Sequence, residues 1–175
     1  GYGVTQNYNK AIEYYLLSFK YGNPYALIKL GNLYRDGVGV KQNYAEAEKF
    51  YIKALNFDNN ITAALFNLGE FYSSGEFFDI NIEKAINYLN QSIQYYNERV
   101  SFFSTKDNIV EIMLKINKYY YRSNNDLGLI YLIHFKDKEK AIQYIKESGL
   151  NEYPYGQNNF GLLNQFYFDN LDSAK

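Results

Sequence analysis

The segment ALIKLGNLYRDGVGVKQNYAEAEKFYIKA, residues 26–54, decides the fold. Its first half contains Leu30-Gly31-Asn32-Leu33-Tyr34. That string recurs as Leu68-Gly69-Glu70-Phe71-Tyr72, as Leu127-Gly128-Leu129-Ile130-Tyr131 and, more weakly, as Phe160-Gly161-Leu162-Leu163-Asn164. Its second half sets Ala47, Phe50, Tyr51, Ala54 and Leu55 at i, i+3, i+4, i+7 and i+8, the spacing of one apolar helix face. The same frame appears in Ala11, Tyr14, Tyr15, Ser18 and Phe19, in Ala85, Tyr88, Leu89, Ser92 and Ile93, and in Ala141, Tyr144, Ile145 and Ser148. Steps of 36 residues from Ala11 to Ala47 and 38 from Ala47 to Ala85 make this an internal repeat.

Between the halves runs Asp36-Gly37-Val38-Gly39-Val40-Lys41-Gln42-Asn43-Tyr44, whose second half is echoed by Gly1 to Tyr8. A glycine just past a helix can take the left-handed conformation that ends it, so each unit reads as helix A, a glycine turn and helix B. Gly31, Gly69, Gly128 and Gly161 fall inside helices, where glycine costs about 1 kcal/mol against alanine. Such residues are kept where another helix must come close, with Ala11, Ala47, Ala85 and Ala141 as the expected partners.

The pattern from Ala26 to Ala54 resembles the Sel1-like repeat, a branch of the tetratricopeptide-type helical solenoids. The resemblance is close over 24–57, good over 1–22 and 61–96, and looser over 124–175. It implies an all-α, right-handed solenoid of antiparallel helix pairs. The expected division is a partial repeat at 1–22, repeats at 23–58 and 59–97, a divergent repeat with an insertion at 98–150, and a partial repeat at 151–175. Because arrays usually close with polar capping helices, a piece of a longer array is expected.

The step from Leu68 to Leu127 is 59 residues, about 21 more than the one before it. Ile109, Met113, Ile116 and Tyr120 continue in phase into Ser123, Leu127, Ile130 and His134. A single lengthened helix near 106–134 preserves both phase and direction and would be about 43 Å long. Ser123-Asn124-Asn125-Asp126 is poor helix material that could break it. Helix B of the preceding unit is expected to fade near Tyr96. The turn after the long helix is shortened and lacks the Gly-x-Gly-Val element, with Asp137 as a candidate N-cap.

Composition removes several classes of function. Lys plus Arg number 18 against 19 Asp plus Glu, which lacks the basic surface a nucleic acid needs. No cysteine is present, so there is no thiol nucleophile or thiolate metal site. His134 is the only histidine and no Ser-His-Asp set is recognisable. Gly37-Val38-Gly39 lacks the lysine and hydroxyl residue of a phosphate loop. Asp79-Ile80-Asn81-Ile82-Glu83 has Lys84 where a calcium loop needs glycine, and reads as a turn and helix start. The 21 tyrosines fall mostly in the repeat frame, which assigns them to packing between helices rather than to base stacking. Neither an enzyme nor a cofactor is expected, and no segment is long and apolar enough for membrane insertion. No basic-then-apolar leader opens the chain, which tilts the compartment towards the cytoplasm, although Gly1 is not an initiator methionine.

The family resemblance implies a protein or peptide partner held on the concave face of the A helices. Positions carried over from related tetratricopeptide modules are Tyr25, Ile28, Asn32 and Arg35 in one unit, and Ala63, Phe66, Glu70 and Ser73 in the next. Arg122, Asn125, Leu129 and Leu132 follow, then Tyr155, Asn158, Leu162 and Gln165. The alternative surface is the extra half of the long helix, around Ile109, Met113 and Ile116. A non-catalytic adaptor, an inhibitor such as an immunity protein, and a recruiting segment of a larger enzyme all fit this surface. The oligomeric state is open.

Overall fold

The computed structural model describes residues 7–57, 61–74, 80–103, 110–149 and 154–163, with backbone only for 99–103, 110–117 and 155. These residues form α1 (Tyr8–Lys20), α2 (Tyr25–Asp36), α3 (Tyr44–Phe57), α4 (Thr62–Ser74), α5 (Ile82–Phe103), α6 (Val110–Ile130), a π-helical turn (Tyr131–Phe135), α7 (Lys138–Gly149) and α8 (Pro154–Leu163). Among the described residues every regular element is a helix. The chain divides into two compact units, residues 1–68 and 69–175, with the boundary inside α4.

Each helix B starts on one device. The side chains of Asn7, Asn43, Asn81 and Asp137, each four residues before the frame alanine, accept from the backbone N–H groups of Lys10, Glu46, Lys84 and Lys140 at 3.0, 3.1, 3.0 and 3.0 Å. An N-terminal donor left over by the helix is thereby satisfied, which is worth about 1 kcal/mol per cap. The backbone N–H of Asn43, Asn81 and Asp137 also donates to the carbonyl of Tyr34, Tyr72 and Tyr131, tying helix B to the end of helix A. Gly37 closes α2 at φ 66°, the left-handed backbone its position in the turn implied.

Within a pair, helix B meets helix A twice. The ring three residues after the frame alanine stacks on the tyrosine of helix A: Phe50 on Tyr34 at 5.4 Å, Tyr88 on Tyr72 at 6.0 Å and Tyr144 on Tyr131 at 5.6 Å between centroids. The residue four after the alanine presses onto the helix A glycine. A Cβ on Gly31 would lie 2.5 Å from the Tyr51 ring, one on Gly69 2.6 Å from Leu89, and one on Gly128 would overlap Ile145. The expected alanine contact is secondary. Ala85 and Ala141 offer only a carbonyl, at 3.6 and 3.1 Å, because the longer neighbour one turn on already fills the space. Tyr51, Leu89 and Ile145 are fully buried, as are Ala47, Ala85 and Ala141.

The third pair departs from the others. Helix α6 runs through Ser123-Asn124-Asn125-Asp126 without a break, as one lengthened helix. The polar side chains that threatened it have partners that leave the helix intact. Ser123 Oγ donates to Ser92 Oγ at 3.0 Å, and Asn124 Nδ2 to the Tyr120 carbonyl at 3.0 Å. Helix α5 passes its expected end near Tyr96 and continues to Phe103, so the lengthened helix has a lengthened neighbour. Tyr96 and Tyr120 meet there at 4.1 Å, and Tyr120 Oη donates to Glu147 at 2.9 Å. Burial and the nearby Glu147 carboxylate raise the Tyr120 phenol above its ordinary value, so it stays a donor.

The glycines give the sharpest test of this packing. Gly31→Ala should destabilise by about 2 kcal/mol or more, since a buried ring must move although alanine is the better helix former. Gly161→Ala, with no described atom within 4 Å of its Cβ position, should stabilise by up to about 1 kcal/mol. Urea denaturation of both variants checks the pair, and a matching sign would refute the packing account.

Candidate functional site

The A helices carry linked polar side chains in each unit. In the first unit, Asn32 Oδ1 accepts from Tyr51 Oη at 2.6 Å and from Asn67 Nδ2 at 3.3 Å. Asn67, 5% exposed, in turn accepts a long bond, 3.5 Å, from Arg35 Nη1. Two bonds from Arg35 to Asp36, at 2.7 and 3.1 Å, fix the guanidinium in its plane. In the second unit, Arg122 pairs with Glu70 at 2.8 Å, and Asn159 Nδ2 donates to Asn125 Oδ1 at 2.7 Å.

Beside this second cluster lies a cleft of about 180 Å³ lined by Ser73, Asp126, Leu129, Ile130, Ile133 and His134. The Asp126 carboxyl is pushed up from 3.8 to about 7, first by burial and then by the charge of Glu70. A hydrogen bond from Asn125 and the charge of Arg122 oppose that rise. By surface area the side chain is half-buried, so the shift arises from the crowding around the carboxyl rather than from full enclosure.

The positions expected to line the face divide by burial. Arg35, Asn32, Glu70, Ser73, Arg122 and Leu129 are half-buried members of the polar clusters or the cleft, and Tyr25 and Asn158 are exposed. Ile28, Ala63, Phe66 and Asn125 are buried at 5%, 7%, 0% and 6% exposure, so Ile28 and Phe66 belong to the core. Ile109 and Gln165 lie outside the described residues, as do the side chains of Met113, Ile116 and Tyr155. The tetratricopeptide positions passed over the residue just before the repeat Leu. That position holds Asn67, Asp126 and, in the weaker copy, Asn159, and a recurring amide or carboxylate there was the available signal. Among the described residues no group of three or more His, Asp or Glu could hold a metal ion, and no helix is long and apolar enough to cross a membrane.

The Asp126 shift makes a signed prediction. Where folding raises a carboxyl pKa, the native state binds the extra proton between the unfolded and folded values. Stability is therefore lost as pH rises from about 4 to about 7. Asp126→Asn should remove this loss and stabilise the protein by about 1–3 kcal/mol at pH 8, with little change at pH 4. Chemical denaturation at the two pH values measures it; a destabilised variant at pH 8 would contradict the assignment.

The Sel1 repeat family model matches residues 1–20, 24–56, 62–94 and 122–150, about two thirds of the chain. Similar solved structures include a Sel1 repeat protein from Oxalobacter formigenes, at 20% identity, covering 87% of this chain and 73% of that one with a TM-score of 0.41. Another is a protective antigen of uropathogenic Escherichia coli strains displaying an SLR fold, at 19% identity and a TM-score of 0.49. That match covers 94% of this chain and 38% of the antigen. No curated protein matches the sequence. Sel1 repeats generally mediate protein–protein interactions and typically form a scaffold without catalysis of its own. With the glycine contact and the tyrosine stack both present in the segments matched at 24–56, 62–94 and 122–150, this chain belongs to the Sel1 repeat family.

Proposed function

We propose that this chain is a non-catalytic protein-binding module that holds a segment of a partner protein on the outward face of its A helices. The observation that carries the reading is the pre-arranged, half-buried polar side chains there, Asn32 and Arg35 in one unit, both bonded to the buried Asn67, and Glu70, Arg122 and Asn159 in the other, the last bonded to the buried Asn125. Amide side chains offer both a donor and an acceptor, which suits the main chain of a bound peptide. Their mutual bonds hold them in place before the partner arrives, so less entropy is lost on binding. Both signs of charge occur on this face, which suits a protein better than a polyanion. The cleft beside Asp126 adds a place for a partner side chain, and Tyr25, 56% exposed, adds an aromatic contact.

Site-specific photo-crosslinking in the source cells tests this. A crosslinking residue at Tyr25, Ser73 or Asn158 should trap the same partner chain. The same residue at the exposed helix B positions Lys49 and Gln91 should trap little or none. Stronger trapping from Lys49 or Gln91 would move the binding surface off the A helices.

A further inference from the structure

The cleft of the second unit has a chemistry more specific than its face. At about 180 Å³ it is smaller than a drug-sized ligand site and is scaled to one long side chain. Leu129, Ile130 and Ile133 supply aliphatic walls, and Ile133 is 55% exposed. Asp126 supplies a carboxylate. Its Oδ1 accepts from Asn125 Nδ2 at 3.2 Å, and its Oδ2 accepts no hydrogen bond among the described residues. The charges that face it are Glu70 from α4 and Arg122 from its own helix, and these pair with each other at 2.8 Å. Residues 154–163 of α8, which packs on α6, contribute no charge, and His134 is the other titratable residue in the cleft lining. One negative charge is therefore left over beside an aliphatic slot.

We propose that this cleft is a pocket for a lysine side chain of the partner protein, its methylene stem along Leu129 and Ile133 and its ammonium on Asp126 Oδ2. The proposal deepens the binding-face reading and rests on it. Lysine fits because an aliphatic stem buries against apolar walls while the charged end reaches a polar group. Arginine fits less well, since a guanidinium pairs best with both oxygens of a carboxylate and Oδ1 is already engaged. Ser73 Oγ, which donates to the Glu70 carbonyl at 3.2 Å, keeps its lone pairs for a second ammonium N–H. A bound cation offsets by its charge the burial that raises the Asp126 carboxyl to about 7, so the pocket binds best when that acid is ionised.

The test titrates the isotope-labelled protein with N-acetyl-lysine methylamide, its norleucine analogue and its arginine analogue, followed by backbone amide shifts. The lysine probe should give saturable shifts at Ser73 and residues 129–134, with the norleucine probe at least about tenfold weaker. Affinity for lysine should rise about tenfold from pH 6 to pH 8, following ionisation of a group near 7. That rise should persist in His134→Gln and vanish in Asp126→Asn, a variant expected to be at least as stable as the parent at pH 8. Equal binding of lysine and norleucine, or unchanged lysine binding by Asp126→Asn, overturns the pocket. Trapping at Ser73 without lysine preference would overturn the pocket and leave the binding face standing. Loss of trapping at Tyr25, Ser73 and Asn158 together with lysine binding would remove both.

Discussion

Everything in this protein hangs on a missing methyl group. In three helix pairs the A helix gives up its Cβ at one position, and the B helix fills that position with a large side chain: Tyr51, Leu89 or Ile145. Glycine inside a helix is unfavourable on its own, so the fold accepts a local penalty at Gly31, Gly69 and Gly128 for close approach of two helices. Close approach buries the side chains around it completely, and burial of such residues is the main favourable term in folding. It also fixes the rotation of helix B, because only one residue per pair can occupy the notch.

With rotation fixed, the remaining contacts follow. The residue one position earlier must lie over the helix A tyrosine, which is why the same ring stack recurs with Phe50, Tyr88 and Tyr144. The capping Asn or Asp must lie where its own N–H can reach that tyrosine's carbonyl. An abundance of tyrosine that could suggest base stacking is thus consumed by internal geometry. The A helices also carry amides and charges that bind one another, Asn32 with Asn67 and Glu70 with Arg122.

The repeat and its helices were legible because packing demands small residues at fixed spacing, and glycine and alanine are easily seen in sequence. The unbroken path of α6 was legible from phase, since Ile109 to His134 kept one alternation. The survival of Ser123-Asn124-Asn125-Asp126 as helix was not, because it depends on Ser92 and Asn159, distant in sequence. Lining positions borrowed from related modules separated poorly into open and buried. Helix propensity and spacing say which flank a residue is on, but depth depends on the helix that lies across it. Ile28 and Phe66 therefore sank into the core, while Asp126, half a step aside, became the charged member of the cleft.

The π-helical turn at Tyr131–Phe135 carries a wider implication. From the helix A tyrosine to the capping residue the other pairs use nine residues, Tyr34 to Asn43 and Tyr72 to Asn81, and this one uses six, Tyr131 to Asp137. The shorter span still has to satisfy the same carbonyl. It does so by widening the helix and setting Lys136 at φ 56°, so that the Lys136 and Asp137 N–H groups both reach Tyr131 O. A wider turn advances less per residue, and His134, which its phase placed on the core line, is exposed and lines the cleft. A recess can thus be made in a repeat array by subtraction. A shorter surface turn leaves the core contacts in place and turns one side chain into the open, giving one repeat a character of its own.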